Sequence, residues 1–401
     1  MLFNSKKNIL TNTSPLPIYA LFLFLLGLLV PNSTHGQEFI EDIANIFEFD
    51  IGLERPDSTF KHAKAVLAPI VSFEPSTNWG FGIGAKFLFK PKNAGPETRT
   101  SNIPLSVQYT LRNQFIANSE YTIFFPDESY LLKGVLAFSK FPLPFFGIGS
   151  GTKSEDQVDI SFNQFIFEPL LLKKIVPNFF IGGGWRLNTF RQVELLEESE
   201  LFPEEIDIQD SLGSISSGLE FAITIDSRDN VLNASKGVFA EFTHGVYNEA
   251  FGSSSQFMLT SLDFRKYFTV SENRPNDVIA FEIFTRFSWN DTPVLELSSL
   301  GGPELLRGYQ EGRFRDRHAV FGQVEYRWQA LERIGLVFFG GIGEVFDEVS
   351  EIELGDAKYS LGTGLRLKIV KSENLNIRID FALGLGRETD QNFYLGIAEA
   401  F

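Results

Sequence analysis

From Lys64 onward, apolar and polar residues take turns at a period of two. Lys358–Val370 is the clearest case. Tyr359, Leu361, Thr363, Leu365, Leu367 and Ile369 alternate with Lys358, Ser360, Gly362, Gly364, Arg366 and Lys368. Leu375, Ile377, Ile379, Phe381 and Leu383 alternate with Asn376, Arg378, Asp380 and Ala382. Leu219, Phe221, Ile223 and Ile225 alternate with Glu220, Ala222, Thr224 and Asp226. Successive side chains of a strand point to opposite faces, so each segment predicts a strand with one apolar and one charged or polar face. The pattern predicts about sixteen strands, at roughly 64–74, 79–90, 102–112, 116–126, 129–139, 157–173, 178–191, 215–227, 236–248, 254–270, 277–290, 317–333, 334–346, 357–371, 374–386 and 391–401.

A soluble sandwich alternates too, with its polar face in water. Three features favour a transmembrane antiparallel β-barrel. The strands are long, as a tilted membrane-spanning strand requires. The N-terminus reads as an export signal. The last strand ends at Phe401. A barrel also satisfies every backbone group and leaves no edge facing lipid. An even strand count puts both termini on the periplasmic side. The long connections, 140–156, 191–214, 291–316 and 347–356, then all fall outside the cell. The segment 91–101 is long for a periplasmic turn.

The export signal is predicted over residues 1–36. Lys6 and Lys7 precede an apolar run from Leu16 to Val30, interrupted by Pro17 and Tyr19. That run is short for a spanning helix and suits a cleaved signal, with cleavage after Gly36; an uncleaved anchor is the alternative. Residues 37–63 form a short periplasmic segment, in which Ile40, Ile43, Ile46 and Phe47 have helical spacing and predict a small helix or plug. The barrel domain is 64–401.

Composition narrows the function classes. The chain has 401 residues and a formal net charge of −16, which argues against a nucleic-acid partner. It has no Cys, so a disulfide scaffold, a thiolate metal site and a thiol nucleophile are excluded. Its 43 Phe and 34 Gly suit a lipid-facing closed sheet better than a helical core. The four His, at 35, 62, 244 and 318, form no constellation. A barrel hydrolase would need Ser beside His on the outer face, and His244 shows no Ser or acid beside it. We therefore expect no enzyme, no cofactor and no metal site.

Leu306-Arg307-Gly308-Tyr309 lies between the eleventh and twelfth predicted strands. It resembles the Val-Arg-Gly-Tyr/Phe signature in the sixth extracellular loop of the BamA/TamA superfamily of outer-membrane barrels, the bacterial surface antigen family and its two-partner secretion relatives. Ile225–Gly237 resembles that family's hairpin between strands eight and nine, with Ala234 where proline is usual. Asp226, Arg228, Asp229 and Gly237 carry that motif. Asx side chains cap tight turns and Gly supplies backbone freedom, so this hairpin also reads as structural on its own terms. A calcium loop fails there on spacing. Tyr394, Gly396 and Phe401 resemble the assembly signal of a closing strand, although Glu399 stands where an apolar residue is usual; near the headgroups its cost is small.

A buried guanidinium needs a carboxylate, and the twelfth strand presents one: Gln323, Glu325 and Arg327 share a face opposite Val324, Tyr326 and Trp328. An Arg307–Glu325 pair in the lumen is expected. The family's second acid, on strand thirteen, is replaced by Gly341, which weakens the anchor or shifts it wholly to Glu325. Arg313, Arg315 and Arg317 read as a solvated or lumenal cluster. The resemblance implies insertion or transport of outer-membrane proteins or lipids, by a short form without the family's periplasmic POTRA domains. Expected partners are outer-membrane lipids, unfolded outer-membrane proteins and a separate periplasmic or lipoprotein factor. The rival reading is a passive or gated channel, or a scaffold.

Overall fold

A computed structural model of the chain describes residues 49–52, 60–74, 77–95, 98–196, 212–231, 233–352, 355–370, 375–386 and 389–401. The predicted signal, its cleavage site and the helical spacing from Ile40 to Phe47 lie outside the described residues. Further along the 37–63 segment, Phe49–Gly52 forms a short strand.

Sixteen strands close one antiparallel barrel, as the alternation predicts. They are β1 (Phe60–Glu74), β2 (Asn78–Pro91), β3 (Ser101–Thr110), β4 (Phe115–Phe124), β5 (Tyr130–Phe145), β6 (Val158–Val176), β7 (Phe179–Leu195) and β8 (Ser214–Asp226). There follow β9 (Gly237–Tyr247), β10 (Phe257–Ser271), β11 (Arg274–Asn290), β12 (His318–Gln329), β13 (Ile334–Phe346), β14 (Lys358–Val370), β15 (Leu375–Leu385) and β16 (Thr389–Ile397). β1 begins four residues before its predicted start, and β16 stops at Ile397, short of Phe401.

The burial is inside out. Leu361 is 56% exposed and Ile83 68%, whereas Asp380 is 0% and Arg366 4%. Phe81, Phe138, Phe281 and Phe338 are exposed on the outside as well. In water such a surface would be an aggregation liability; in hydrocarbon it is the favourable face, because lipid demands apolar contact and a sheet with no free edge.

The closing seam is narrow. β16 and β1 share one register pair, Leu395 with Phe73. The Phe73 and Phe393 rings, 5.7 Å apart, reinforce it. Lower on the same edge of β1, the strand Phe49–Gly52 runs antiparallel and pairs with Lys64–Leu67. Backbone groups that β16 is too short to reach are thereby satisfied, which a lipid-facing edge requires.

At the short-turn end, the long segment 91–101 is tied down by Arg99, which bridges Glu128 at 2.9 Å and Asp226 at 3.2 Å. The hairpin after β8 is built as its residues suggest. Asp229 accepts the backbone N–H groups of Asn230, Ser235 and Lys236, Arg228 pairs with Asp226 at 3.0 Å, and Gly237 holds a φ of 109°.

Candidate functional site

The connection from β11 to β12 folds back into the lumen. Its limbs pair as a small hairpin, Ser298–Leu300 with Phe314–Asp316. Leu300, Leu306, Tyr309 and Phe314 pack on Ala319, Phe321 and Val345 of the wall. Burial of these apolar groups offsets part of the cost of ordering a long loop.

At its tip Arg307 is enclosed. It donates to Glu325 at 2.5 Å, to Asp380 at 2.8 Å and to Gln323 at 3.1 Å. Its guanidinium carbon lies 3.5 Å from the centroid of Phe339. Charge-assisted hydrogen bonds of this kind are the strong ones, and an aromatic face adds a cation–π contribution. Asp380, on β15, supplies a second acid to this site. The expectation that Gly341 leaves the anchor with Glu325 alone is therefore corrected. The sequence signal was available, since Asp380 sits on the polar face of a clear strand, but its partner lies 73 residues away.

The backbone around Arg307 is held by β16. Asn392 donates to the Gly308 carbonyl at 2.6 Å, the Gly308 N–H donates to the Tyr394 hydroxyl at 3.1 Å, and that hydroxyl donates to the Tyr309 carbonyl at 2.9 Å. Gly308 has a φ of 110°, and a Cβ there would lie 2.6 Å from the Gly384 nitrogen. Glycine is required on both counts.

Glu399 and Phe401 are placed differently from the expectation. Ala398 takes a φ of 73°, which breaks the alternation of β16 and turns the following residues inward. Glu399 faces the lumen, not the headgroups, and accepts from Arg366 and from Asn376, each at 2.6 Å. Phe401 packs inside the barrel with Tyr267, Val278 and Ala280, and its carbonyl accepts from Arg327 at 2.8 Å. Closure therefore runs through Leu395 and Phe73, while Phe401 plugs the lumen beside it. Gly396 pairs with Arg378 on β15.

The first limb of the loop has its own anchor, which the sequence reading missed. Glu296 receives a fork from Arg186 on β7, at 3.0 and 3.1 Å, and a bond from Arg286 at 3.3 Å. Burial pushes the Glu296 carboxyl up, but Arg186 and Arg286 outweigh it and hold the group below the ordinary carboxylate range. The arginine cluster divides. Arg313 bonds Thr152 of a neighbouring loop, Arg315 caps loop carbonyls, and only Arg317 is exposed, paired with Asp347 at 2.8 Å. The Nδ1 of His244 lies 2.8 Å from the hydroxyl of Thr260, which is neither a Ser nor an acid. Among the described residues no group of His and acids could hold a metal.

The rest of the lumen keeps a cavity of about 770 Å³, walled by Lys133, Glu168, Glu220, Glu241, Asp263 and Arg265 among others.

Comparison with known proteins places this geometry. Residues 181–401 match the Omp85 superfamily domain. The fold is similar to BamA from Haemophilus ducreyi lacking POTRA domains 1–3, with a TM-score of 0.54 and 14% identity, covering 91% of this chain and 78% of that one. It is similar to CdiB from Acinetobacter baumannii, with a TM-score of 0.53 and 13% identity, covering 83% of this chain and 59% of that one. No curated protein sequence matches the chain. The family match spans more than half of the chain and takes in the loop, its anchoring strands and the β16 side of the seam: the chain belongs to the Omp85 superfamily, and its barrel is an outer-membrane barrel.

Proposed function

We propose that the barrel assists insertion or transport of outer-membrane proteins or lipids, acting with a separate periplasmic or lipoprotein partner rather than as an enzyme. The observation that carries this reading is the seam. A wall joined through one register pair, Leu395 with Phe73, is the place where a barrel can part sideways at least cost in hydrogen bonds. A partner would dock on the short turns around Asp229 and Asn273. Depletion of the protein is expected to leave outer-membrane proteins misassembled, with a periplasmic factor recovered stoichiometrically in mild detergent. Normal outer-membrane protein assembly in a clean deletion rejects the reading.

A second reading is a gated pore, favoured by the charged lumenal cavity of about 770 Å³. Planar-bilayer conductance that rises on Arg307→Ala supports it. Absence of conductance in both forms removes it.

A further inference from the structure

Three arginines and three acids form a closed ring inside the barrel. Arg307 bonds Glu325 and Asp380, at 2.5 and 2.8 Å. Glu325 also bonds Arg327 at 2.9 Å, and Asp380 also bonds Arg366 at 2.5 Å. Glu399 closes the circuit, with Arg366 at 2.6 Å and Arg327 at 4.0 Å. Each acid thus lies between two guanidinium groups of the ring, and Asp380 has Arg378 beside it as well, at 3.7 Å. The members come from five places: the loop tip (Arg307), β12 (Glu325 and Arg327), β14 (Arg366), β15 (Asp380), and the inward-turned residues after β16 (Glu399).

The ring is enclosed, so its members are costly to leave unpaired. Arg307, Glu325 and Asp380 side chains are fully covered, and those of Arg366, Arg327 and Glu399 nearly so. In a low-dielectric interior an ion that loses one partner is left with an uncompensated charge. Release of Arg307 strips Glu325 and Asp380, which are the counter-charges of Arg327 and Arg366. Those two arginines are what hold Glu399. Conversely, withdrawal of Glu399 leaves Arg366 and Arg327 pulling on the acids that Arg307 needs.

We propose that Glu399 is a positioning residue through which the docked loop and the paired seam stabilise each other. Residues 398–401 lead directly out of the strand that makes the seam, so swinging β16 away from β1 withdraws Glu399 from the ring. A docked loop therefore favours a shut seam, and an open seam favours a released loop. Linkage makes the effect reciprocal. The ring adds this coupling to the direct bonds of Asn392 and Tyr394 to the loop, and the coupling stands whether the barrel moves proteins, lipids or ions.

The chain is free of cysteine, so an introduced pair is the only one present. Phe73→Cys with Leu395→Cys reports the seam, because Cα partners across an antiparallel ladder fall within disulfide reach. The full chain is kept in outer membranes and given a short oxidant pulse. Trypsin cleavage after Arg307 and Arg313 reports loop release, and heat-modifiable mobility shows that each variant is folded. Glu399→Gln leaves the Asn392 and Tyr394 contacts to the loop intact. It is expected to lower the disulfide yield and to raise loop cleavage, each by at least about fivefold, the low end of usual couplings. Arg307→Ala, remote from the seam in sequence, is expected to lower the disulfide yield similarly. The two together should do little more than either alone. Glu399→Asp, which keeps the charge on a shorter arm, should fall between wild type and Glu399→Gln. It also stands in if Glu399→Gln does not fold: loop cleavage at the wild-type level in folded Glu399→Asp then overturns the coupling. An unchanged seam in Arg307→Ala, or effects that simply multiply in the double variant, likewise overturns it.

Discussion

Arg307 donates to Asp380 at 2.8 Å, joining the tip of a surface loop to the fifteenth strand through the closed interior of the barrel. Asp380 also pairs with Arg366 and, at 3.7 Å, with Arg378, so its removal leaves three guanidinium groups short of a counter-charge. Breaking one side of a buried pair typically costs about 3–5 kcal/mol. Asp380→Ala is expected to destabilise the barrel by an amount in that range, measured by urea unfolding in lipid vesicles. Loss of less than about 1 kcal/mol, the level of an exposed pair, would show that the network is solvated.

Arg307→Lys preserves the charge but not the planar fork that reaches Glu325 and Asp380 together. We expect the lysine variant to behave as a partial loss: the loop becomes open to trypsin while the barrel keeps its heat-modifiable mobility. Protection equal to wild type would mean that a point charge is sufficient.

Gly308→Ala tests the close approach of the loop to the wall. The new methyl would meet the Gly384 nitrogen and the Leu383 carbonyl carbon, both at 2.6 Å, in a backbone conformation L residues avoid. Backbone strain of this type costs about 1–3 kcal/mol. Raised tryptic cleavage of the loop is the expected reading, with strand content unchanged by circular dichroism.

The anchor at Glu296 carries a pH dependence. Its carboxyl is held below the ordinary range despite burial, because Arg186 and Arg286 favour the charged form. A group with a depressed folded value contributes stability that is fully present above its unfolded value, about 4.3 for Glu, and is lost as pH falls through the lower folded value. The first limb should therefore stay docked at neutral pH and detach only below about pH 4. Hydrogen exchange of the amides at 294–297, corrected for its intrinsic pH dependence, checks this. Glu296→Gln should show the detached behaviour at pH 7. Detachment that sets in above pH 6 would contradict the sign.

The outward face gives a separate test of the inside-out reading. Phe338→Arg places a charge on an exposed apolar position of β13 and should cost about 2–4 kcal/mol if it lies near the bilayer midplane. The same variant would be nearly silent on a water-facing sheet. Refolding yield into vesicles distinguishes the two.

The period of two was enough to predict sixteen strands with their inner and outer faces, because which way a side chain points along a strand is a local property; the joining of Arg307 to Glu325 also needed the family resemblance, which implied a loop folded into the lumen. It could not say which lumenal charges meet. Asp380 was visible as an inward acid, yet its meeting with Arg307 depends on strand stagger and on how far the loop folds in. Glu296 carries no signal in the alternation, because its partner Arg186 on β7 reaches it only when the barrel closes. Glu399 was misplaced for a different reason. Alternation carried through β16 points it at lipid, and one left-handed residue, Ala398, turns it inward. A single backbone dihedral leaves no trace in a hydrophobic pattern, and partners 73 residues apart are chosen only when the sheet closes. The sequence determined the wall; the closed tertiary structure decided what is held inside it.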